Sequence, residues 1–164
     1  MNLTSNNVTR FLDSKKIKYS AFELPPEKLG AEETALLLNI PVEQIFKTIV
    51  IVRQKGKPLL CLIPGNSEVD LKAVAHCIGE KKVSVPTQNE AEKLTGLQAG
   101  GISLLALINK GFSVIIDSSA SHYEAVHISG GQRGLNIRMR PNDLQILSKA
   151  KYASIARKES ETDV

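Results

Sequence analysis

The stretch Ala125-Val126-His127-Ile128-Ser129-Gly130-Gly131-Gln132-Arg133-Gly134-Leu135-Asn136-Ile137-Arg138-Met139 decides the fold class. Residues 125–129 and 135–139 read as two short strands, and the glycine-rich segment between them reads as a hairpin loop, so the strands are antiparallel neighbours. Outward from the hairpin, residues 114–117 read as another strand, and Pro141 suits the first helical position ahead of Asp143-Leu144. Towards the N-terminus, residues 9–15 and 31–39 have helical patterns, the second closed by Ile40-Pro41, with a strand over 18–24 between them. Residues 46–52 and 58–63 read as buried strands. Asp70 predicts an N-cap for a helix that runs through Ile78 and stops at Gly79. Thr87 with Glu90 forms a capping box for a helix that stops at Gly96. Strands and helices therefore mix without strict alternation. The expected class is α+β, with a mixed, largely antiparallel curled sheet or barrel wrapped by short helices, and not a doubly wound parallel sheet.

The chain has 164 residues, 42% hydrophobic and 23% charged, as one ordinary globular domain would. About two thirds of the unfolded surface of such a chain leaves water on folding, enough for a core without disulfides or structural metal. Residues 1–156 are expected to form the domain and 157–164 a charged, frayed tail. No apolar run approaches the roughly 18 residues needed to cross a bilayer, and the first residues are polar, which predicts a cytoplasmic protein with no membrane partner. Cys61 and Cys77 lie in apolar segments and are expected to be reduced core thiols. The formal net charge of +4 permits an anionic partner. Three tyrosines, four phenylalanines and no tryptophan are too few for a sheet that stacks several bases, so any RNA contact is expected through phosphate and sugar.

Three places could carry chemistry. Lys47, in a strand from Phe46, shares a face with Ile49 and Ile51. It is either a strand-end lysine snorkelling along its own stem or a cation held at a pocket mouth for a phosphate, a ribose hydroxyl or a developing oxyanion. Gly100-Gly101-Ile102-Ser103 opens a turn whose amides could face a ligand, or is merely a flexible connection. Ser129-Gly130-Gly131-Gln132-Arg133-Gly134 gathers a hydroxyl, a cation and free amides, although a plain hairpin turn would also select glycine. The phosphate-binding pattern G-x-x-x-x-G-K-[ST] is missing. The glycines near Ser129 lead into a strand, against a dinucleotide fingerprint. His76, His122 and His127 lack partners at metal-ligand spacing, His122 falls on a polar turn, and no nucleophile elbow or Ser-His-Asp triad can be assembled.

In combination, Phe46-Lys47-Thr48, Gly100-Gly101-Ile102-Ser103, the strand ending at Asp117 and the Ser129–Gly134 loop resemble, in order, the YbaK/EbsC family, over residues 7–155. This family is related to the editing domain of bacterial prolyl-tRNA synthetase. The resemblance implies a free-standing aminoacyl-tRNA deacylase acting on mischarged tRNA(Pro), with cysteine the first expected aminoacyl group and alanine the second, and prolyl-tRNA synthetase a candidate partner. It implies a catalytic role for Lys47, holding the terminal adenosine or the ester, and a substrate-binding role for Gly100, Gly101, Ile102, Ser103, Ser129, Gly130, Gly131 and Arg133. No metal or organic cofactor is implied. In cysteine-specific members the substrate's own thiol is thought to attack the ester, which would leave Cys61 and Cys77 as spectators. Leu104 and Ala106 stand where proline and glycine are frequent in the family; both are expected beside the pocket, where they would alter substrate choice. They also motivate an alternative, a non-catalytic module binding tRNA ends or a synthetase. A phosphate-ligand protein using the Ser129 loop is a third reading.

Overall fold

The computed structural model describes residues 5–159. Five helices of eight residues each, α1 (Asn7–Ser14), α2 (Ala31–Leu38), α3 (Leu71–Ile78), α4 (Gln88–Thr95) and α5 (Pro141–Ser148), alternate irregularly with ten strands. The strands are β1 (Tyr19–Glu23), β2 (Phe46–Arg53), β3 (Leu59–Pro64), β4 (Ser67–Val69), β5 (Val83–Ser84), β6 (Ser113–Asp117), β7 (Val126–Ser129), β8 (Leu135–Met139), β9 (Lys151–Ala153) and β10 (Ala156–Lys158). None of these helices is long and apolar enough to cross a membrane.

Local chemistry sets the helix ends. The Asp70 carboxylate accepts from the amide of Ala73, and Gly79, with φ 71°, closes α3 in the left-handed conformation. Thr87 and Glu90 make the capping box of α4, which Gly96 terminates. Pro141 occupies the first turn of α5. Asn39 and Lys149 are the left-handed C-caps of α2 and α5 in place of glycine.

The class is α+β. Of the two expected forms, curled sheet or barrel, no closed barrel forms among the described residues: the strands make sheets ordered β1-β8-β7, β10-β4 and β5-β2-β3-β6-β9. The five-stranded sheet is mixed, antiparallel from β5 to β3 and parallel from β3 through β6 to β9. β3 lies at its centre and every one of its residues is buried, as expected for a strand covered on both faces. Leu60 and Leu62 join Phe46 and Val50 in the larger apolar cluster, which the inner residues of β7 and β8, Ile128 and Ile137, complete from the opposite sheet. Leu59, Cys61 and Ile63 face the other way, onto Ile51, Ile115, and Val74 of α3.

The tail expected from residue 157 is corrected at its start. Arg157 and Lys158 pair with Glu68 and Ser67 of β4, and the buried Asp117 carboxylate accepts from the amides of Ile155 and Ala156, both at 2.9 Å, fixing the turn into β10. The remainder of the expected tail, 160–164, lies outside the described residues. His122 ends a short 3-10 segment, Ser118–His122, and is exposed.

Candidate functional site

A cavity of ≈ 370 Å³ lies where the start of β2, α2, the end of β7, the start of β8 and the 99–102 loop converge. This volume is within the range of small-molecule sites. Thr34, Lys47, Thr48, Gly65, Gly100, Ile102, Ser129 and Asn136 are among its walls.

Lys47 lies opposite Ile63 in the β2–β3 ladder, so its stem shares a face with the second apolar cluster. Its ammonium donates to the carbonyl of Gly65 at 3.2 Å and stands 3.7 Å from a Glu159 carboxylate oxygen. Gly65 is fixed by close packing: a Cβ there would sit 2.3 Å from the Cβ of Ala31, and its amide donates to Ile45 O at 2.6 Å. The strand therefore brings a cation, 34% exposed, to the cavity wall against a carbonyl that cannot easily move.

The other expected site residues divide into two groups. Gly100, with φ +89°, Ile102 and Ser129 line the cavity together with Lys47. Gly101, Ser103, Gly130, Gly131 and Arg133 do not; they stand behind the wall and hold it. The Ser103 hydroxyl, fully buried, donates to Ser129 O at 2.6 Å and accepts from Leu105 N. Arg133 clasps the 99–102 loop, its Nε donating to Ala99 O at 2.7 Å. Gly101 abuts the backbone of Gln132. The Gly130 amide donates to Leu135 O, and the Gly131 amide donates to Ser129 Oγ at 3.2 Å. Two loops far apart in sequence are thus lashed into one wall.

Leu104 and Ala106 do not line this cavity; Leu104 stands directly behind its wall. Leu104 is 1% exposed in the larger core, and its amide donates to Thr48 Oγ1 at 3.2 Å, a bond that proline could not make.

Sequence reasoning missed Thr34, Thr48, Gly65 and Asn136. Asn136 was recoverable from the hairpin, because it lies opposite Ser129 and on the same face. Behind it, His127 Nδ1 is 2.9 Å from Asn136 Oδ1. Burial holds the imidazole below its usual pKa, a shift that the Asn136 bond opposes and the nearby Arg138 charge assists. The neutral ring then donates from Nδ1 to that oxygen, which fixes the amide plane at the cavity wall. Cys61 lies in the second apolar cluster, where burial foremost and the neighbouring Cys77 push its thiol up to about 12. It is no activated nucleophile. Among the described residues no group of three His, Cys, Asp or Glu side chains is placed to hold a metal ion.

The family model described as the aminoacyl-tRNA editing domain matches residues 25–147, a span that contains every cavity residue named above. EbsC of Enterococcus faecalis, whose name carries a provisional Cys-tRNA(Pro)/Cys-tRNA(Cys) deacylase assignment, is 35% identical over 93% of this chain and 94% of its own length. A proline–tRNA ligase of Thermodesulfovibrio yellowstonii is 29% identical over 75 residues, covering 46% of this chain but only 13% of the ligase. A crystal structure described provisionally as a trans-editing enzyme for prolyl-tRNA synthetase superposes with a TM-score of 0.78 at 27% identity, covering 96% of this chain and 100% of that one. A match over most of the chain and a near full-length relative agree with the order of motifs along the sequence, and this chain belongs to the aminoacyl-tRNA editing domain family.

Proposed function

We propose that the protein hydrolyses the ester joining an amino acid to the 3′ end of a mischarged tRNA(Pro), with the cysteinyl ester preferred and the alanyl ester second. The observation that carries this reading is the Lys47 ammonium, held 3.2 Å from Gly65 O at the wall of a cavity shared with Gly100 and Ser129. An aminoacyl ester is already activated, so it needs positioning and charge stabilisation more than a strong protein nucleophile. Lys47 holds the ribose or ester end, and the exposed backbone at Gly100 lies against the aminoacyl end. Ser129 Oγ accepts from Gly131, which leaves its own hydrogen to donate to the substrate. With a cysteinyl ester, the substrate thiol loses its proton and its sulfur attacks the ester carbonyl. The ribose oxygen leaves and is protonated, and water then cleaves the resulting thioester. Prolyl-tRNA synthetase, the source of such mischarged tRNA, is the partner this reading implies.

The rival reading as a non-catalytic module took its motive from Leu104 and Ala106, and neither lines the cavity. The test is deacylation of cysteinyl-, alanyl-, seryl- and prolyl-tRNA(Pro) by the full chain. Cysteinyl-tRNA should be cleaved fastest. A pocket that excludes bulk rejects the proline ring more sharply than it separates small side chains, for which a methylene is worth only about 1–3 kcal/mol. Equal rates for the three small esters would reject thiol assistance. Rapid cleavage of prolyl-tRNA, or cleavage of none of them, would overturn the proposal.

A further inference from the structure

The β1-β8-β7 sheet has an outer face whose two ends differ in chemistry. Tyr19, Ala21, Ile137 and Met139 point to the core, so the alternate residues Ser20 and Phe22 of β1, Asn136 and Arg138 of β8, and His127 and Ser129 of β7 share the outer face, on which His127 and Asn136 are buried and Ser20 and Arg138 exposed. Their register is Phe22 opposite Asn136 opposite Ser129, then Ser20 opposite Arg138 opposite His127. Asn136 and Ser129 belong to the cavity described above. At the other end, one step beyond the Tyr19–Met139 pair, Lys18 and Arg140 flank the sheet on that same face by alternation. Lys18, Ser20, Arg138 and Arg140 line a separate open depression of ≈ 170 Å³.

Three cations converge there. Lys18, Arg138 and Arg140 are all exposed, and like charges placed opposite or diagonal across a strand pair repel. The charge is only partly answered from within the protein. Asp143 is 3.1 Å from Arg140 Nε, while neither Lys18 nor Arg138 forms an ion pair among the described residues. Such a cluster costs stability in the free protein and gains it when an anion with several oxygens sits between the cations. Arg138 is two residues along β8 from Asn136, roughly 7 Å at strand spacing, so a ligand of a few linked units can touch both ends of the face.

We infer that the Lys18–Arg138–Arg140 depression binds backbone phosphates of the tRNA acceptor strand, two to four residues along β8 from the cavity that takes its aminoacylated end. The identity of the anion rests on the proposed function; the cation cluster does not. The site grips the nucleic acid without reading its bases, and it separates affinity for the tRNA body from chemistry at the ester.

The experiment measures binding of uncharged tRNA(Pro) transcript to the full chain by fluorescence anisotropy between about 50 and 200 mM KCl, a range over which phosphate contacts are strongly salt-dependent. The Lys18→Gln/Arg138→Gln variant should bind about tenfold more weakly at the lower salt. Its slope of log K against log salt should be shallower by roughly 1.4–1.8, the value for two lost phosphate contacts. Its cleavage of 3′-O-cysteinyl-adenosine, which lacks the acceptor strand, should stay within about twofold of wild type, because this probe carries no phosphate for the cations to hold. Lys81→Gln/Lys82→Gln, the same charge change between α3 and β5, should leave the slope alone. Lys18→Arg/Arg138→Lys should retain binding and separates charge from folding. The site is overturned by wild-type tRNA affinity in the first variant, by equal losses in the Lys81/Lys82 control, by loss of binding in the charge-retaining swap, or by loss of phosphatidylserine vesicle binding with tRNA affinity intact. If wild type shows the patch-dependent slope but cleaves no ester, the deacylase reading fails and the phosphate site stands. If it cleaves esters and the slope does not depend on the patch, the reverse holds.

Discussion

Replacing Gly101 by alanine tests the lashed wall most directly. Gly101 lies outside the left-handed region, so alanine meets no backbone strain there, and the whole effect is steric. The added Cβ would lie 2.9 Å from Gln132 Cα, 3.1 Å from Gln132 C and 3.2 Å from Arg133 N. All three are main-chain atoms and cannot swing away, so the loops must part by about half an ångström to reach ordinary contact. Overpacking of this kind costs about 1–3 kcal/mol. With an unfolding entropy of about 2.1 cal/mol/K per residue, a chain this long loses about 3 °C in Tm per kcal/mol, which predicts a fall of roughly 3–9 °C. The same separation displaces Gly100 from Ser129, and since a misplacement of about 1 Å can cost a hundredfold, about tenfold of turnover should be lost. Calorimetry and a deacylation assay on one preparation measure both effects. Gly96→Ala is the control: it has φ +73° with nothing within 4 Å, so it should lose about 1–2 kcal/mol from strain and no activity. A Gly101→Ala protein with Tm within about 1 °C of wild type and full turnover would refute the idea that these loops form one packed wall.

Lys47→Ala should lower turnover by about 10²–10³, the scale for removing one stabilising charge at a reacting group, and change stability by less than about 1 kcal/mol, because its pairing with Glu159 is half-exposed. Full activity in the folded variant would return Lys47 to a snorkelling role. Ellman's reagent should titrate a single thiol in the native protein, that of the half-buried Cys77, and both after denaturation, because Cys61 is 0% exposed and its thiol is pushed up to about 12; rapid native labelling of both would disprove its burial. His127 adds a pH dependence whose sign follows from burial. Its folded pKa lies below the ordinary value of about 6.5, so the unfolded chain takes up the proton first. The stability contribution is complete above about 6.5 and is lost as pH falls through the lowered folded value. Urea midpoints from pH 7.5 downwards should therefore decline more steeply once pH falls below about 6.5 in wild type than in His127→Gln, and parallel curves would refute it.

The helices were legible because their ends are written locally. Asp70 and Gly79, Thr87 with Glu90 and Gly96, and Pro141 each satisfy or terminate a backbone within one turn. The hairpin, with its flanking strands, was legible for the same reason. β4, β5, β9 and β10 have two or three residues each, too few for a period, and exist because distant strands offer them partners. The site was legible as a set of loops and illegible in its orientation. Gly100 and Gly101 are neighbours in sequence, yet one meets the cavity and the other meets Gln132; only the arrival of the hairpin loop tells them apart. Thr34 and Gly65 carry no local mark of being near Lys47, since long-range packing alone unites them, and Asn136 is reached only through its hairpin partner Ser129.

The β1–β8 ladder joins Tyr19 to Met139, residues near opposite ends of the chain, and this places the cavity late in the protein's own history. Closing so long a loop delays the contacts that reward it, so sheets of this topology form slowly compared with local hairpins and helices. During synthesis the chain leaves the ribosome at about 5–20 residues per second, so the residues of β2 and β3 are made well before β8 exists to receive β1. Until then Ser129 and Asn136 have no finished sheet beneath them. The cavity therefore cannot be complete before the β1–β8 ladder closes, because Ser129 and Asn136 stand on the sheet that this ladder finishes.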